Sequence, residues 1–370
     1  MIGIIIGSLF GAILLGGAIF MNVSPQFGGK PTKEKEAAYE QLSYYQDGKF
    51  QNLIPTSMDM KFGDMLSTMG DMIKGDPNRQ PGHLLPVQTI DSLDIANRPE
   101  GVERLTWFGH SAFLLEIGGK NILLDPMLGE SPSPLPMFGS KRYAEKLPIE
   151  VAKLPHIDAV IISHDHYDHL DYSSIQQLKD KVDALYTPLG VGAHLAAWGV
   201  DEAKIHELKW GDEVTHKGLT FICTPARHFS GRGLFDRFST LWASWVIKSG
   251  QKSLYFSGDS GYGPHFKEIG DKYGPFDVAM MECGQYNERW GNIHMFPEQT
   301  VQAFQDVQGK LLLPIHWGAF SLALHTWTDP IERVSAKAKE LNVHMATPRI
   351  GESIDLNQTA SYTKRWWEQN

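Results

Sequence analysis

The segment AVIISHDHYDHLDYSS, residues 159–174, constrains this chain more than any other. A short apolar run, the mark of a buried strand, leads directly into three histidines and three aspartates between His164 and Asp171. Ionisable groups beside a buried strand must be paired or must bind a metal. His164 and His166 stand two apart, so on an extended chain both imidazoles point to one side. Asp168 and His169 follow where the chain turns toward a helix, and they can face a second point. Imidazole with carboxylate suits zinc, and iron or manganese with less preference. Four such donors exceed what one catalytic ion with an open position accepts, so the pattern predicts two ions sharing a site. Further donors stand at the ends of other apolar runs: His228 in ICTPARHFSGRG, Asp259 in LYFSGDSGYG and His316 in LLLPIHWGAF. Each precedes glycine or a turn, which places all three on one rim of a sheet.

The chain has 370 residues, enough for two domains or for one large α/β unit with extensions. Strand pairs are predicted around Gly118-Gly119, Lys217-Gly218 and Ser249-Gly250. Helices are predicted after Asp171 or Ser173 as cap, over FPEQTVQAFQDVQG with Pro297 near the start and Gly309 past the end, and over DPIERVSAKAKELN. Strand pairs alternating with helices suggest two sheets covered by helices. A net charge of −9 without a basic, aromatic-interleaved stripe argues against nucleic acid. Cys223 and Cys283 are the only cysteines and form no disulfide framework.

Residues 1–23 carry no charged side chain, and about 20 apolar residues span a bilayer as a helix. No basic stretch precedes them and no clear cleavage site follows. The expectation is therefore an uncleaved transmembrane anchor, with single-pass membrane localisation, rather than a signal peptide. Residues 24–99 read as a linker and amphipathic extension. Within it Met58, Phe62, Met65, Leu66, Met69, Met72 and Ile73 recur on one helical face. Methionine makes such a face adaptable; it either meets lipid chains or packs on the main domain. If lipid, Met65, Met69 and Met72 would line the groove. Residues 100–356 form the catalytic domain and 357–370 a tail.

HDHYDHLD followed by TPARHFS, FSGDSGY and PIHWGAF resembles the metallo-β-lactamase superfamily. TWFGHSAFLLE, LLDPMLGESPSP, GSKRYAEKLP, IHMFPEQTVQAFQDV and PRIGE, in this order, are most similar to N-acylphosphatidylethanolamine-hydrolysing phospholipase D. The resemblance covers roughly residues 100–352 and implies an αββα sandwich with the site on its open edge. It implies two zinc ions, one on His164, His166 and His228, the other on Asp168, His169 and His316, with Asp259 bridging. Asp125 would orient a ligand histidine, and His294 would lie near the substrate head group. His110 is read as structural. The implied reaction is attack of a metal-bridging hydroxide on the phosphodiester of a membrane phospholipid, releasing an N-acylethanolamine and phosphatidic acid. The catalytic residues would be Asp168, Asp259 and His294, the partner the lipid bilayer, and an oligomer is compatible. A lactonase or other phosphodiesterase is the nearest alternative, and a non-catalytic, membrane-tethered metal-binding protein is another. The string Gly258-Asp259-Ser260-Gly261 is not a serine-protease site, because Asp259 is needed as a ligand.

Overall fold

The computed structural model describes residues 11, 15–17, 19–57, 62–137, 139–250, 252–358 and 364–368. The apolar run before the histidine cluster is a strand, Ile157–Ile161, with every residue buried. Apart from Asp158, which pairs with Lys217 Nζ at 2.8 Å, it is apolar because both its faces are covered. Numbered along the chain, β1 (Tyr45–Gln46) and β2 (Lys49–Phe50) form a small hairpin. β3 (Arg104–Trp107), β4 (Phe113–Ile117), β5 (Lys120–Leu124), β6 (Ile157–Ile161), β7 (Val182–Pro188) and β8 (Ile205–Leu208) build one sheet. The second contains β9 (Glu213–His216), β10 (Leu219–Thr224), β11 (Ser244–Ser249), β12 (Lys252–Phe256), β13 (Phe276–Glu282) and β14 (Gly309–Ile315). β15 (Ser353–Asp355) returns to the first sheet, so the strand orders are β15-β3-β4-β5-β6-β7-β8 and β14-β13-β12-β11-β10-β9.

Alternation along the strands produces the layers. Phe113, Leu115, Ile122, Leu124, Ala159 and Ile161 face a core shared with Phe221, Trp245, Ile247 and Phe256 of the second sheet. Leu114, Leu123, Val160 and Leu185 face the other way, onto helices Tyr172–Leu178 and Gly192–Ala197 through Ile175, Leu178 and Leu195. Helices His265–Tyr273, Pro297–Asp306 and Asp329–Glu340 contribute Phe266, Val301, Phe304 and Val334 to the core on the second sheet's side. The result is a mixed α/β sandwich with the order helix, sheet, sheet, helix. Trp245 sits fully buried between the sheets and donates Nε1–H to the carbonyl of Ile162 at 3.0 Å.

The three glycine turns form as the sequence predicts. Gly118 and Gly119 have φ of +56° and +73° between β4 and β5, and Lys217 and Gly218 have +49° and +88° between β9 and β10. Such paired positive values suit the twist of a tight hairpin. β11 and β12 pair across Gly250. Asp171, not Ser173, caps the helix Tyr172–Leu178, accepting a hydrogen bond from Ser174 N–H. β3, β5 and β6 point one way in the first sheet, and β10, β12, β13 and β14 point one way in the second. Every donor named above lies just beyond the carboxyl end of one of these strands, where open α/β sheets bind ligands.

One expectation is corrected. Among the described residues no helix is long and apolar enough to cross a membrane, so the transmembrane anchor, and with it the membrane localisation, is withdrawn. Residues 1–10, 12–14 and 18 of that segment lie outside the described residues. The described helical turns end at Val23, and a three-residue 3-10 turn, Pro25–Phe27, follows. From there the chain docks on the domain: Trp198 Nε1–H donates to Pro25 O at 2.6 Å and Arg232 Nε–H to Gln26 O at 2.8 Å. Tyr39, Tyr45 and Phe50 are then buried in the main core. A helix does form over Phe62–Lys74, but Met58 and the side chains of Met65, Met69 and Met72 lie outside the described residues. At the other end Trp366 and Trp367 are each 4% exposed and pack against Trp317.

Trp245→Phe removes the one side-chain donor reaching Ile162 O and leaves that buried carbonyl unpaired. It is expected to destabilise the fold by about 2–3 kcal/mol, seen as a lower urea midpoint with an unchanged slope.

Candidate metal centre

Asp125 organises the first half of the site. It stands one residue past β5, at φ +35°, and is fully buried. Its Oδ1 accepts Ser163 N–H at 2.6 Å, and its Oδ2 accepts Ser163 Oγ–H at 2.5 Å. Oδ2 also lies 2.6 Å from His169 Nδ1, so the carboxylate holds that ring with Nε2 facing outward. Ser163 Oγ in turn lies 2.9 Å from His164 Nδ1.

From this base the expected donors converge into two groups. His164, His166, His228 and Asp259 offer atoms all within 4.8 Å of one another, and so do His110, Asp168, His169 and His316. His166 Nδ1 lies 2.8 Å from His164 Nε2 and 3.2 Å from His228 Nε2. Nitrogens on one tetrahedral ion at 2.0–2.1 Å stand roughly 3.3 Å apart; the His166–His228 spacing matches this, and the His164–His166 spacing is tighter. Asp259 reaches both groups. Its Oδ2 lies 3.8 Å from His164 Nε2, 3.7 Å from His228 Nε2 and 3.1 Å from His169 Nε2. Its Oδ1 lies 3.1 Å from His316 Nδ1. Gly258 makes this approach possible. At φ +54°, a Cβ there would sit 2.7 Å from Ser163 Cβ and 2.9 Å from Ala243 O.

Burial holds His164, His228 and His316 well below the usual imidazole range, and His166 down to about 4. At neutral pH these rings carry a free lone pair, the form that binds metal. Burial pushes Asp259 up to about 7 and raises Glu282. Burial also opposes charge on His169, but the carboxylates of Asp259, Asp168 and Asp125 outweigh it and raise that imidazole. The protein alone thus has an excess of buried carboxylate. His169 Nε2 and Asp259 Oδ1 are buried without any hydrogen-bond partner. Neutral nitrogens, crowded carboxylates and these two orphaned atoms fit a pair of divalent cations.

Residues 120–317 match the family model for the β-lactamase superfamily domain. The chain belongs to the metallo-β-lactamase superfamily. The fold implies a binuclear metal site and the chemistry of a metallo-hydrolase. An uncharacterized protein of Mycobacterium tuberculosis is 40% identical over 337 residues, 90% of this chain and 89% of that one. The protein named N-acyl-phosphatidylethanolamine-hydrolyzing phospholipase D 1 of Caenorhabditis elegans is 32% identical, over 64% of this chain and 69% of its own. Among solved structures, an isothiocyanate hydrolase from Delia radicum gut bacteria superposes with a TM-score of 0.54 at 23% identity, covering 68% of this chain and 98% of that one.

Several residues at the site were not foreseen. His110, read as structural, has φ +57° and places Nε2 2.8 Å from Asp168 Oδ2, so it positions that carboxylate. Glu282 ends β13 fully buried and lies 2.7 Å from His294 Nδ1; its other oxygen accepts Ser260 N–H. The ring of His294, expected near the head group, stacks on His316 at 5.3 Å. An acid closing the apolar run FDVAMMECG is the same signal that revealed Asp259, and it identifies Glu282. A cavity of about 280 Å3 opens over the cluster, lined in part by His294, Phe229, Trp290, Arg237 and Arg289. The larger cavity of about 660 Å3 between loop 128–136 and helix Tyr172–Leu178 contains none of the metal-site donors.

Gly258→Ala is expected to cost roughly 2–4 kcal/mol through overpacking and strain at positive φ. Because the clash pushes Asp259 outward, metal retained per chain after dialysis should fall below the parent's two equivalents.

Proposed function

We propose that this protein is a binuclear-zinc phosphodiesterase of the phospholipase D type, which hydrolyses N-acylphosphatidylethanolamine to an N-acylethanolamine and phosphatidic acid. The observation that carries this reading is the cavity over the donor cluster. Two guanidinium groups, Arg237 and Arg289, border it, which suits an anionic diester better than a neutral ester. Arg237 lies over the Phe229 ring, 4.7 Å from its centroid, and forms no ion pair among the described residues. Arg289 is anchored on Asp71 at 2.8 Å, with its Nη1 buried and unpartnered. The similarity to the named nematode phospholipase D supports the choice of lipid.

His164, His166 and His228 would hold one zinc, Asp168, His169 and His316 the other, and Asp259 would touch both. Bound there, the ions supply Lewis acidity toward the phosphoryl group and activate water near neutral pH. The chain's own residues do the rest. Arg237 and Arg289 orient the diester. Glu282 fixes the His294 ring through Nδ1, leaving Nε2 as the atom offered to the substrate. His110 holds Asp168 in place from behind. Phe229, Trp290, Ile293 and Leu322 give the cavity its apolar wall.

The deciding experiment measures metal content and follows N-acylphosphatidylethanolamine hydrolysis by mass spectrometry, with Asp168→Asn alongside. The parent should hold two metals and release phosphatidic acid, and the variant should be slower by roughly 10³-fold or more. Two metals without phospholipid cleavage would sink the lipid assignment and direct the search to lactones and other diesters. Arg237→Ala should lower kcat/KM on the anionic diester by roughly 10-fold. It should leave hydrolysis of a neutral ester nearly unchanged.

A further inference from the structure

The N-terminal arm does more than cover the core. Beyond the end of β10, His228 sits in a loop where neither sheet can pair its backbone. Its N–H donates to Asn52 Oδ1 at 3.0 Å, and its carbonyl accepts from Asn52 Nδ2 at 2.8 Å. Among the described residues these are the hydrogen bonds made by the His228 backbone. A side-chain amide thus takes the place of a neighbouring strand, satisfying both polar groups at once. The ring of the same histidine is held by a second contact, Nδ1 to Ile293 O at 2.9 Å, which leaves Nε2 directed at His166.

Asn52 is itself pinned on both sides. Two residues earlier, Phe50 is fully buried and its N–H donates to Phe238 O at 2.9 Å. Four residues later, Thr56 Oγ1 accepts from Arg227 Nε at 3.0 Å, and Pro55 O accepts from Arg227 Nη2 at 3.2 Å. The arm also reaches the loop that carries His164 and His166. Arg232, which donates to the carbonyls of Asp165 and Leu170, also donates its Nε–H to Gln26 O. The donors of the other group are braced from within the domain. His169 rests on Asp125, Asp168 on His110, and the His316 backbone N–H on His110 O.

We propose that Asn52 is a positioning residue for the metal site formed by His164, His166 and His228, and that its side-chain amide sets the affinity of that site and not of its neighbour. This rests on the ligand assignment given above but not on the identity of the lipid. Groups that brace a metal ligand are typically worth 10–100-fold in affinity.

The test titrates the full-length, metal-free protein with cobalt(II) against a chromophoric chelator and reads both the number of equivalents and the ligand-field spectrum of each. The parent should bind two equivalents, and His228→Ala should lose one. Asn52→Leu, similar in size but unable to bond, should keep one equivalent at parental affinity and bind the other 10–100-fold more weakly. Phe50→Leu removes packing from the same arm but keeps the Phe50 N–H bond to Phe238 O that holds Asn52 in place, and it does not touch His228. It should lower the thermal midpoint while leaving both affinities within about twofold of the parent. If Asn52→Leu binds both ions as the parent does, or weakens both alike, the proposal is overturned. It is overturned equally if Phe50→Leu reproduces the Asn52→Leu pattern, since the arm would then act only through general packing. Should His228→Ala retain two equivalents, the ligand assignment fails first and takes the proposal with it.

Discussion

Five carboxylates, Asp125, Asp165, Asp168, Asp259 and Glu282, are buried along one rim of this protein, and the surrounding structure is organised by the need to tolerate them. An unpaired buried carboxylate costs several kcal/mol even after relaxation. Each therefore has fixed partners. Asp125 takes the Ser163 backbone and the His169 ring, Asp165 takes the Gly231 N–H and the Thr240 hydroxyl, Asp168 takes His110, and Glu282 takes His294 and the Ser260 N–H. Asp259 is the exception, with one oxygen unpartnered and its acidity suppressed by burial. A carboxylate left in that condition at the meeting point of two donor groups is the strongest physical argument for cations in this fold.

The rim is assembled from two sheets, which makes the sandwich itself part of the chemistry. The first sheet contributes Asp125 and the stretch from His164 to His169. The second contributes His228, Asp259, Glu282 and His316. The spacing between the two halves is therefore set by inter-sheet packing, with Trp245 bonded across the gap. The strand ends are also held at unusual dihedrals: His110, Asp125 and His316 all have positive φ, a conformation worth of order 1 kcal/mol or more for a non-glycine residue. The Ser111–His316 contact at 3.3 Å, the His316 N–H to His110 O bond and the His110 N–H to Trp317 O bond hold this strained corner together.

Most of the metal site was legible in the sequence because charge at the end of an apolar run needs a reason. That logic located His164, His166, Asp168, His169, His228, Asp259 and His316, and the structure brings all seven together. It failed where the local sequence is unremarkable. Asn52 lies in a polar stretch, GKFQNLIP, in which one more amide carries no signal. His110 follows a glycine in a turn, and only its contact with Asp168 reveals its role. Trp366 and Trp367 lie in a polar tail whose destination depends on Trp317, far away in the chain. Hydrophobicity misled in the opposite direction. The apolar N-terminus reads as a bilayer span, yet the chain after Val23 turns at Pro25 and lies down on Trp198 and Arg232.

The return of β15 to pair with β3 has a consequence for how the molecule is made. β3 is the first strand of the main domain to be synthesised, at residues 104–107, and its outer neighbour arrives only at residues 353–355. During translation the first sheet waits with an open edge while the entire second sheet is still emerging. Such edges invite mispairing, and contacts this distant in sequence close slowly. His316 also appears late, so a nascent chain offers a cation only part of its final cage. The donor group that includes His316 is therefore completed later than the group of His164, His166, His228 and Asp259, and a ribosome-bound intermediate would present an unclosed sheet beside it.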